Sequence, residues 1–200
     1  MKHVAAITLL ALGLTGCISF GAKPPASLIS LSSTSQLASG DARTTAGSDA
    51  LAIAVPLVPQ AIAGNRVAVS TRGVEIAYVK DAAWAEPPAR LFQRLLAETV
   101  TAKTGKVVLD PRQFAMANGA VLTGQLKNFG ISVETSGDTA GEALVVFDAA
   151  YSKDRGKKVL TKRFEARSSV ATIDSRSVGP ALNRAANDVA DQVSGWLGSN

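Results

Sequence analysis

The chain has 200 residues, of which 46% are hydrophobic and 18% are charged, which suits one domain with a single core. Its formal net charge is +5, and its only histidine and cysteine are His3 and Cys17. Residues 18–200 therefore contain no Ser-His-Asp triad, no Cys-His pair and no zinc site built on these residue types. The chain also lacks a P-loop and a glycine-rich dinucleotide motif. We expect no catalysis, no cofactor and no metal.

Residues 1–16 have the features of a secretory signal peptide. Lys2 supplies a positive start, and the segment 4–14 is apolar apart from Thr8. Such a segment rises only about 16 Å as a helix, whereas a bilayer core is about 30 Å thick. The segment is thus too short to span a membrane, but it has the length of a signal peptide's apolar region.

The four residues Leu14-Thr15-Gly16-Cys17 resemble the bacterial lipobox. In lipoproteins of that kind the signal is cut before the cysteine, here between Gly16 and Cys17. The sulfur receives diacylglycerol and the new amino group is acylated, with palmitate as the expected acyl group. Two or three acyl chains anchor a protein stably, whereas one binds only marginally. The alternative is a buried thiol in an N-terminal helix.

The predicted signal is followed by a tether and then a domain. Residues 17–50 are rich in Ser, Ala, Gly and Thr, so we predict a lipidated and largely flexible tether with one short strand at 27–31. Residues 51–200 form the predicted domain.

The first half of this domain alternates apolar strands with one helix. Strands are predicted at 51–59, 66–70 and 74–79, and another at 106–110. Between them a helix begins near Pro87-Pro88 and ends at Gly105, with Glu86 placed to favour its positive end. Its apolar stripe comprises Leu91, Phe92, Leu95, Leu96 and Val100. A short helix opened by Asp110-Pro111 continues through Met116.

The second half contains three long extended segments and a final helix. The segments cover 120–135, 142–153 and 157–171, and the short turns between them predict an antiparallel meander. Lys162 interrupts the apolar face of the third segment. The last helix covers about 177–197, with an apolar stripe that ends at Trp196. We therefore predict an α+β fold, in which a single mixed β-sheet packs against two main amphipathic helices.

Several segments together resemble one family. They are the lipobox at Cys17, Trp84-Ala85-Glu86-Pro87-Pro88 before the first helix, "VLTGQLKNFGI", "EALVVFDAAY", "KKVLTKRFEA", and the last helix with Ala181-Leu182-Asn183 and Trp196. In this order they resemble the ABC-type transport auxiliary lipoproteins that work with mammalian-cell-entry (MCE) proteins, such as the paraquat-inducible lipoprotein subunit. The resemblance implies a fold similar to the N-terminal domain of TolB.

The same resemblance implies a non-catalytic function. The protein would dock a periplasmic MCE assembly, with its ABC permease and ATPase, to the outer membrane during lipid transport between membranes. Ile18, which follows the lipobox cysteine, is not Asp, and by resemblance to enteric lipoprotein sorting this favours the outer membrane. A stand-alone structural envelope lipoprotein and a direct lipid-binding protein are the alternatives. Self-association is left open.

Two surface features are candidates for binding a partner or lipid headgroups. Trp84, beside the rigid Pro87-Pro88 step, could anchor a partner, or it could join the start of the helix to the core. Residues 151–170 carry a net charge of +5, equal to that of the whole chain, and include Lys157, Lys158 and Arg163. They could bind an anionic membrane or an acidic partner, or simply be solvated and prevent edge pairing. Nucleic acid is not expected, since aromatic stacking platforms are absent.

The apolar stripes of the two main helices allow two interpretations. A stripe of this width belongs to the core in most helices, but it could also line a groove for lipid.

Overall fold

A computed structural model describes residues 27–109, 119–153 and 156–200. Its strands are β1 Leu51–Ile53, β2 Arg66–Thr71, β3 Glu75–Ala83, β4 Val108–Leu109, β5 Ala120–Val133, β6 Gly141–Lys153 and β7 Lys158–Val170. Its helices are α1 Pro88–Thr104 and α2 Val178–Gly198, with short 3-10 turns at Gly47–Asp49 and Gln60–Ile62. This order confirms the predicted elements, except that the short helix at 110–116 lies outside the described residues.

The strands form one mixed sheet around β5. On one side, β6 and β7 follow β5 as antiparallel neighbours, which confirms the predicted meander. On the other side, β1 runs parallel to the first residues of β5, and β2 runs parallel to its last residues. The strands β4 and β3 extend the sheet beyond β1 and β2. The predicted fold class, a mixed sheet with two helices, is confirmed.

Both helices pack on the same face of the sheet, and their predicted apolar stripes are buried there. Phe92 of α1 lies edge-on to Phe129 of β5 and Phe147 of β6, with ring centroids 6.2 and 5.3 Å apart. The helix α2 contacts α1, β6 and β7. Gly105 ends α1 with φ of +73°, a conformation that favours glycine.

Glu86, which the sequence places near the positive end of α1, also has a side-chain partner in that helix. The carboxylate of Glu86 accepts hydrogen bonds from Arg94, at 2.7 and 2.8 Å, and it does not cap the helix. This hydrogen bond lowers the pKa of Glu86. The acidic residue therefore stabilises the first turns of α1 through a side-chain partner on the same helix.

Residues 29–36, which we call the strap, cross the surface of the two helices. The backbone of Ile29 bonds to Ala83 and Ala85, on either side of Trp84, and forms a single β-bridge where the sequence predicted a short strand. Further along, the side chain of Asn187 in α2 accepts hydrogen bonds from the N–H and hydroxyl of Thr34 and donates one to the carbonyl of Ser32. The folded body thus includes residues from the segment predicted to be a largely flexible tether.

The serine and threonine content of the strap explains why its composition did not predict that it packs on the folded body. A segment poor in apolar residues cannot bury much apolar area, but it can be held by hydrogen bonds. Ser33 is 5% exposed, and its hydroxyl lies 2.9 Å from the hydroxyl of Thr99, which is fully buried in α1. The partners of the strap lie roughly 60 to 150 residues away along the chain, so local sequence does not reveal them.

Candidate docking surface

The predicted lipid site, Gly16 and Cys17, lies outside the described residues. Within the described part of the chain, no helix combines the length and the apolar character needed to cross a membrane. Among the same residues, no group of three or more His, Cys, Asp or Glu side chains could hold a metal ion. The candidate site is therefore sought on the surface of the folded body.

Trp84 lies in the core, close to the strap. Its side chain is 1% exposed, and its ring centroid is 5.3 Å from that of Phe129. Ile29 of the strap forms its β-bridge with the backbone of this residue. Of the two interpretations of Trp84, the structure favours the one in which it joins the start of α1 to the sheet. It has almost no surface to offer a partner.

The three basic residues proposed from the sequence lie in two different places. Lys157 and Lys158 are exposed at the start of β7. Arg163 lies on the outer face of the sheet, opposite the helices, because the adjacent Phe164 points into the core and neighbouring side chains in a strand point to opposite faces. There it donates two hydrogen bonds, at 2.6 and 2.7 Å, to Asp148 on β6. This bidentate pair lowers the pKa of Asp148.

Arg167 also lies on the outer face and is similarly paired. Its guanidinium donates to Glu142 and to Glu165, both at 2.9 Å. These hydrogen bonds raise the pKa of Arg167. Both described arginines of the basic hairpin therefore have carboxylate partners in their own sheet. Asp148 and Glu142 come from the neighbouring strand β6, whereas Glu165 lies two positions away on β7 itself, and a net charge does not show which cations are paired.

The helix side of the same hairpin carries lysines instead. Lys162, the predicted interruption of the apolar face, places its ammonium 5.3 Å from the ring centroid of Phe164. Lys153 lies at the same distance from the ring of Tyr151. Lysine can lie on an apolar face because its stem packs against the ring while its charge stays near water. We call Lys153, Lys157, Lys158 and Lys162 the lysine tip.

Aromatic side chains support the lysine tip. The indole of Trp196, near the end of α2, packs against Tyr151 and Phe164 at centroid distances of 5.9 and 5.5 Å. Tyr151 and Phe164 are each 2% exposed, whereas Trp196 is half-buried. Burial raises the pKa of the Tyr151 hydroxyl. The lysine tip therefore lies beside a cluster of packed aromatic rings, which we call the aromatic base. The sequence analysis proposed only two of the tip's four lysines as binding residues.

Open grooves elsewhere on the described surface include two larger ones. One, of about 530 Å³, lies between the end of the strap, α1 and β4. The other, of about 580 Å³, lies over the Asp148–Arg163 pair. Neither is lined by the apolar stripes of the helices, whose members are core residues. The structure therefore favours the interpretation in which the apolar stripes belong to the core over the one in which they line a groove for lipid.

Comparison with known proteins identifies the class to which this fold belongs. Residues 30–194 match the family model described as the ABC-type transport auxiliary lipoprotein component. Since the match covers most of the chain, the protein belongs to this family of envelope lipoproteins that accompany ABC transporters. The match begins inside the strap, in agreement with the packing of that segment. No curated protein matches the chain.

Solved structures with the same fold are distant in sequence. The crystal structure of protein XCC0632 from Xanthomonas campestris is 17% identical, with a TM-score of 0.70, and the match covers 86% of this chain and 94% of that one. A second crystal structure, of an uncharacterized protein, is 12% identical with a TM-score of 0.57 and covers 79% and 95% of the two chains. At these identities the likeness shows the fold alone.

Proposed function

We propose that this protein is the docking subunit of an ABC/MCE-type lipid transport system. It is anchored through acyl chains on Cys17 in the outer membrane, faces the periplasm and holds an MCE assembly near that membrane. The observation that carries the proposal is the family match over residues 30–194. Only a short segment separates the start of this match from the lipobox.

The distribution of reactive groups supports a function without catalysis. Residues 18–200 contain no histidine and no cysteine. The carboxylates with lowered pKa values, such as Glu86 and Asp148, owe the shift mainly to hydrogen bonds with surface arginines. Such shifts arise from ion pairs and do not by themselves provide an acid or base near neutral pH.

The packing of the helices supports docking over direct carriage of lipid. Leu182, Val189 and Val193 of α2 are fully buried between α1 and the sheet. A lipid chain would have to displace these core contacts, each of which stabilises the fold by about 1 to 3 kcal/mol.

The anchor is tested by the mass of the protein purified from cells. We expect the signal to be absent and the mass to include a diacylglycerol and an added acyl chain. The variant Cys17→Ser, which has no thiol for the lipid to join, should keep the signal and lack the mass of the diacylglycerol and the added acyl chain. An intact leader with an unmodified thiol in the wild-type protein would contradict the proposal.

The docking function is tested by co-purification. The full-length lipidated protein, solubilised from the envelope in detergent, should capture an MCE-domain protein, and the encoding genes should lie beside those for a permease and an ATPase. Equal recovery of the MCE-domain protein on beads without the lipoprotein would count against docking. Phospholipid retained by the unlipidated domain in native mass spectrometry would favour a direct carrier instead.

A further inference from the structure

The lysine tip contains the cations of the basic hairpin that have no carboxylate partner among the described residues. Arg163 and Arg167 are paired on the outer face, whereas no ion pair joins Lys153, Lys158 or Lys162 to the described part of the chain. A charge that is already hydrogen-bonded within the fold has little to offer a partner. The unpaired lysines therefore carry the positive potential of this hairpin.

Two of these lysines are arranged in a way that does not favour stability. Lys153 and Lys158 are directly opposite each other in the β6–β7 register. Like charges at directly opposed positions of neighbouring strands repel and destabilise the pair. A carboxylate from outside the domain, placed between the two ammonium groups, would relieve this repulsion.

The aromatic base lowers the cost of binding at the tip. Lys153 and Lys162 lie over the buried rings of Tyr151 and Phe164, and Trp196 fixes both rings. Side chains that are already ordered lose less conformational entropy when a partner binds. Trp196 itself is half-buried at this place and offers apolar area beside the charges.

The tip and the strap lie at opposite ends of α2. Gly179, in the first turn, faces Ile29, with a distance of 3.2 Å from the position of an added Cβ to the side chain of Ile29. Trp196, in the last turn, contacts the base of the tip. The 17 positions between them correspond to about 26 Å along the helix axis. Ile29 of the strap therefore contacts the first turn of α2, whereas the aromatic rings beneath the lysines contact its last turn.

Charge complementarity selects the partner. Lysines without a described carboxylate partner, two of them directly opposed across β6 and β7, fit a surface that is rich in carboxylates. Attraction to an anionic lipid surface would need an approach within a Debye length, about 8 Å at physiological salt, and vesicle binding tests that alternative directly.

We propose that the lysine tip binds an acidic surface of the assembly protein that this lipoprotein docks. The inference rests on the proposed docking function and adds to it the contact surface and its chemistry. It also excludes Arg163, which is held by Asp148, from the contact.

The test compares two double variants with the same change in formal charge. Lys157→Glu with Lys158→Glu reverses the tip, and Lys80→Glu with Lys127→Glu reverses two exposed lysines on β3 and β5. Each full-length lipidated protein is used to capture the MCE-domain protein from detergent-solubilised envelope. We expect at least about fivefold less capture by the tip variant and wild-type capture by the control, since charges at an interface steer and hold a complementary partner.

Stability and vesicle binding separate this contact from other roles. Because Lys158→Glu replaces a repulsive cross-strand pair by an attractive one, the single variant should unfold at the same or a higher urea concentration while capturing less partner. A lower midpoint would indicate a structural role of the lysines and would overturn the proposal. Floating the unlipidated protein with vesicles of phosphatidylethanolamine, with and without phosphatidylglycerol, tests the membrane. Loss of vesicle binding by the tip variant with unchanged capture would also overturn it.

The two proposals fail in different ways. If the wild-type protein captures no MCE-domain protein, the docking function fails, and this inference falls with it. If wild type and tip variant capture the protein equally, docking stands and only the lysine contact is refuted. If the tip variant fails to fold, the neutral pair Lys157→Gln and Lys158→Gln is compared with Lys80→Gln and Lys127→Gln in the same assay.

Discussion

The two ends of α2 use polar side chains in opposite ways. In the N-terminal half of the helix, which the strap crosses and which we call the strap end, Asn187 is 3% exposed and its hydrogen bonds are made within the protein, to Ser32, Thr34 and the helix carbonyl of Asn183. At the tip end, Lys153 and Lys158 are directly opposed in the register of β6 and β7, where like charges repel. The difference indicates where each end can act. The polar side chains of the strap end have their partners within the fold, whereas the lysines of the tip end gain a partner when another protein supplies negative charge.

Replacing the tryptophan near each end should give the largest difference in stability between the two ends. Trp84→Ala removes a 1% exposed side chain beside the strap and leaves a cavity against Phe129. We expect the free energy of unfolding to fall by about 3–5 kcal/mol. Trp196→Ala removes a half-buried indole at the tip and should cost less. Urea unfolding followed by circular dichroism measures both.

A reversed order would break the comparison. If Trp196→Ala destabilised the protein more than Trp84→Ala, the tip end would be part of the main core and not a surface poised for a partner. The two variants should also differ in capture of the MCE-domain protein. We expect Trp196→Ala to reduce capture more than its smaller loss of stability explains, because it removes the base of the lysine tip.

Sequence periodicity was enough to predict the elements that bury apolar side chains. The stripes of α1 and α2 and the alternation in β6 follow from local spacing, so their burial could be predicted without a partner in view. The strap could not, because Ser33 and Thr34 are held by Thr99 and Asn187 on two distant helices. Hydrogen bonds between segments far apart in the chain leave no periodic signal.

The candidate site was predictable to a smaller extent. The net charge located the basic hairpin, but it counted Arg163 and Lys158 as equals. Only the register shows that Asp148 lies opposite Arg163, whereas Lys153 lies opposite Lys158. Lys162 was recognised as an interruption, and its place over the ring of Phe164 explains how the strand accommodates it.

The strap end can next be weakened without disturbing the core. Asn187→Ala removes the two hydrogen bonds to Thr34 and the one to the carbonyl of Ser32. We expect a loss of about 1–3 kcal/mol in the free energy of unfolding, because partly buried backbone groups lose their partners. Hydrogen exchange should increase in residues 29–36 while that of the long strands stays slow.

Asn183→Ala is the matched control for this variant. Its carboxamide accepts one exposed hydrogen bond, from the N–H of Ser32, and water can replace that partner. The expected loss is below about 1 kcal/mol, with exchange of the strap close to that of the wild type. If Asn187→Ala left exchange in the strap unchanged, the hydrogen bonds of the buried amide would not be what holds this segment.

The smallest expected effect concerns the paired cations of the outer face, in contrast to the unpaired tip. Arg163→Ala removes the bidentate partner of Asp148, but the two side chains are 62% and 35% exposed, so solvent screening makes the loss of stability the smallest of this series. Since Arg163 lowers the pKa of Asp148, this contribution is present above the unfolded carboxyl pKa of about 3.9 and is lost as the pH falls through the lower folded value. The stabilities of variant and wild type should therefore differ at pH 7 and converge in acid. For Lys158→Ala, the difference in stability from the wild type should not shrink in acid, because no described carboxylate partners that lysine. If both variants converged with the wild type in acid, the division into paired and unpaired cations would be wrong.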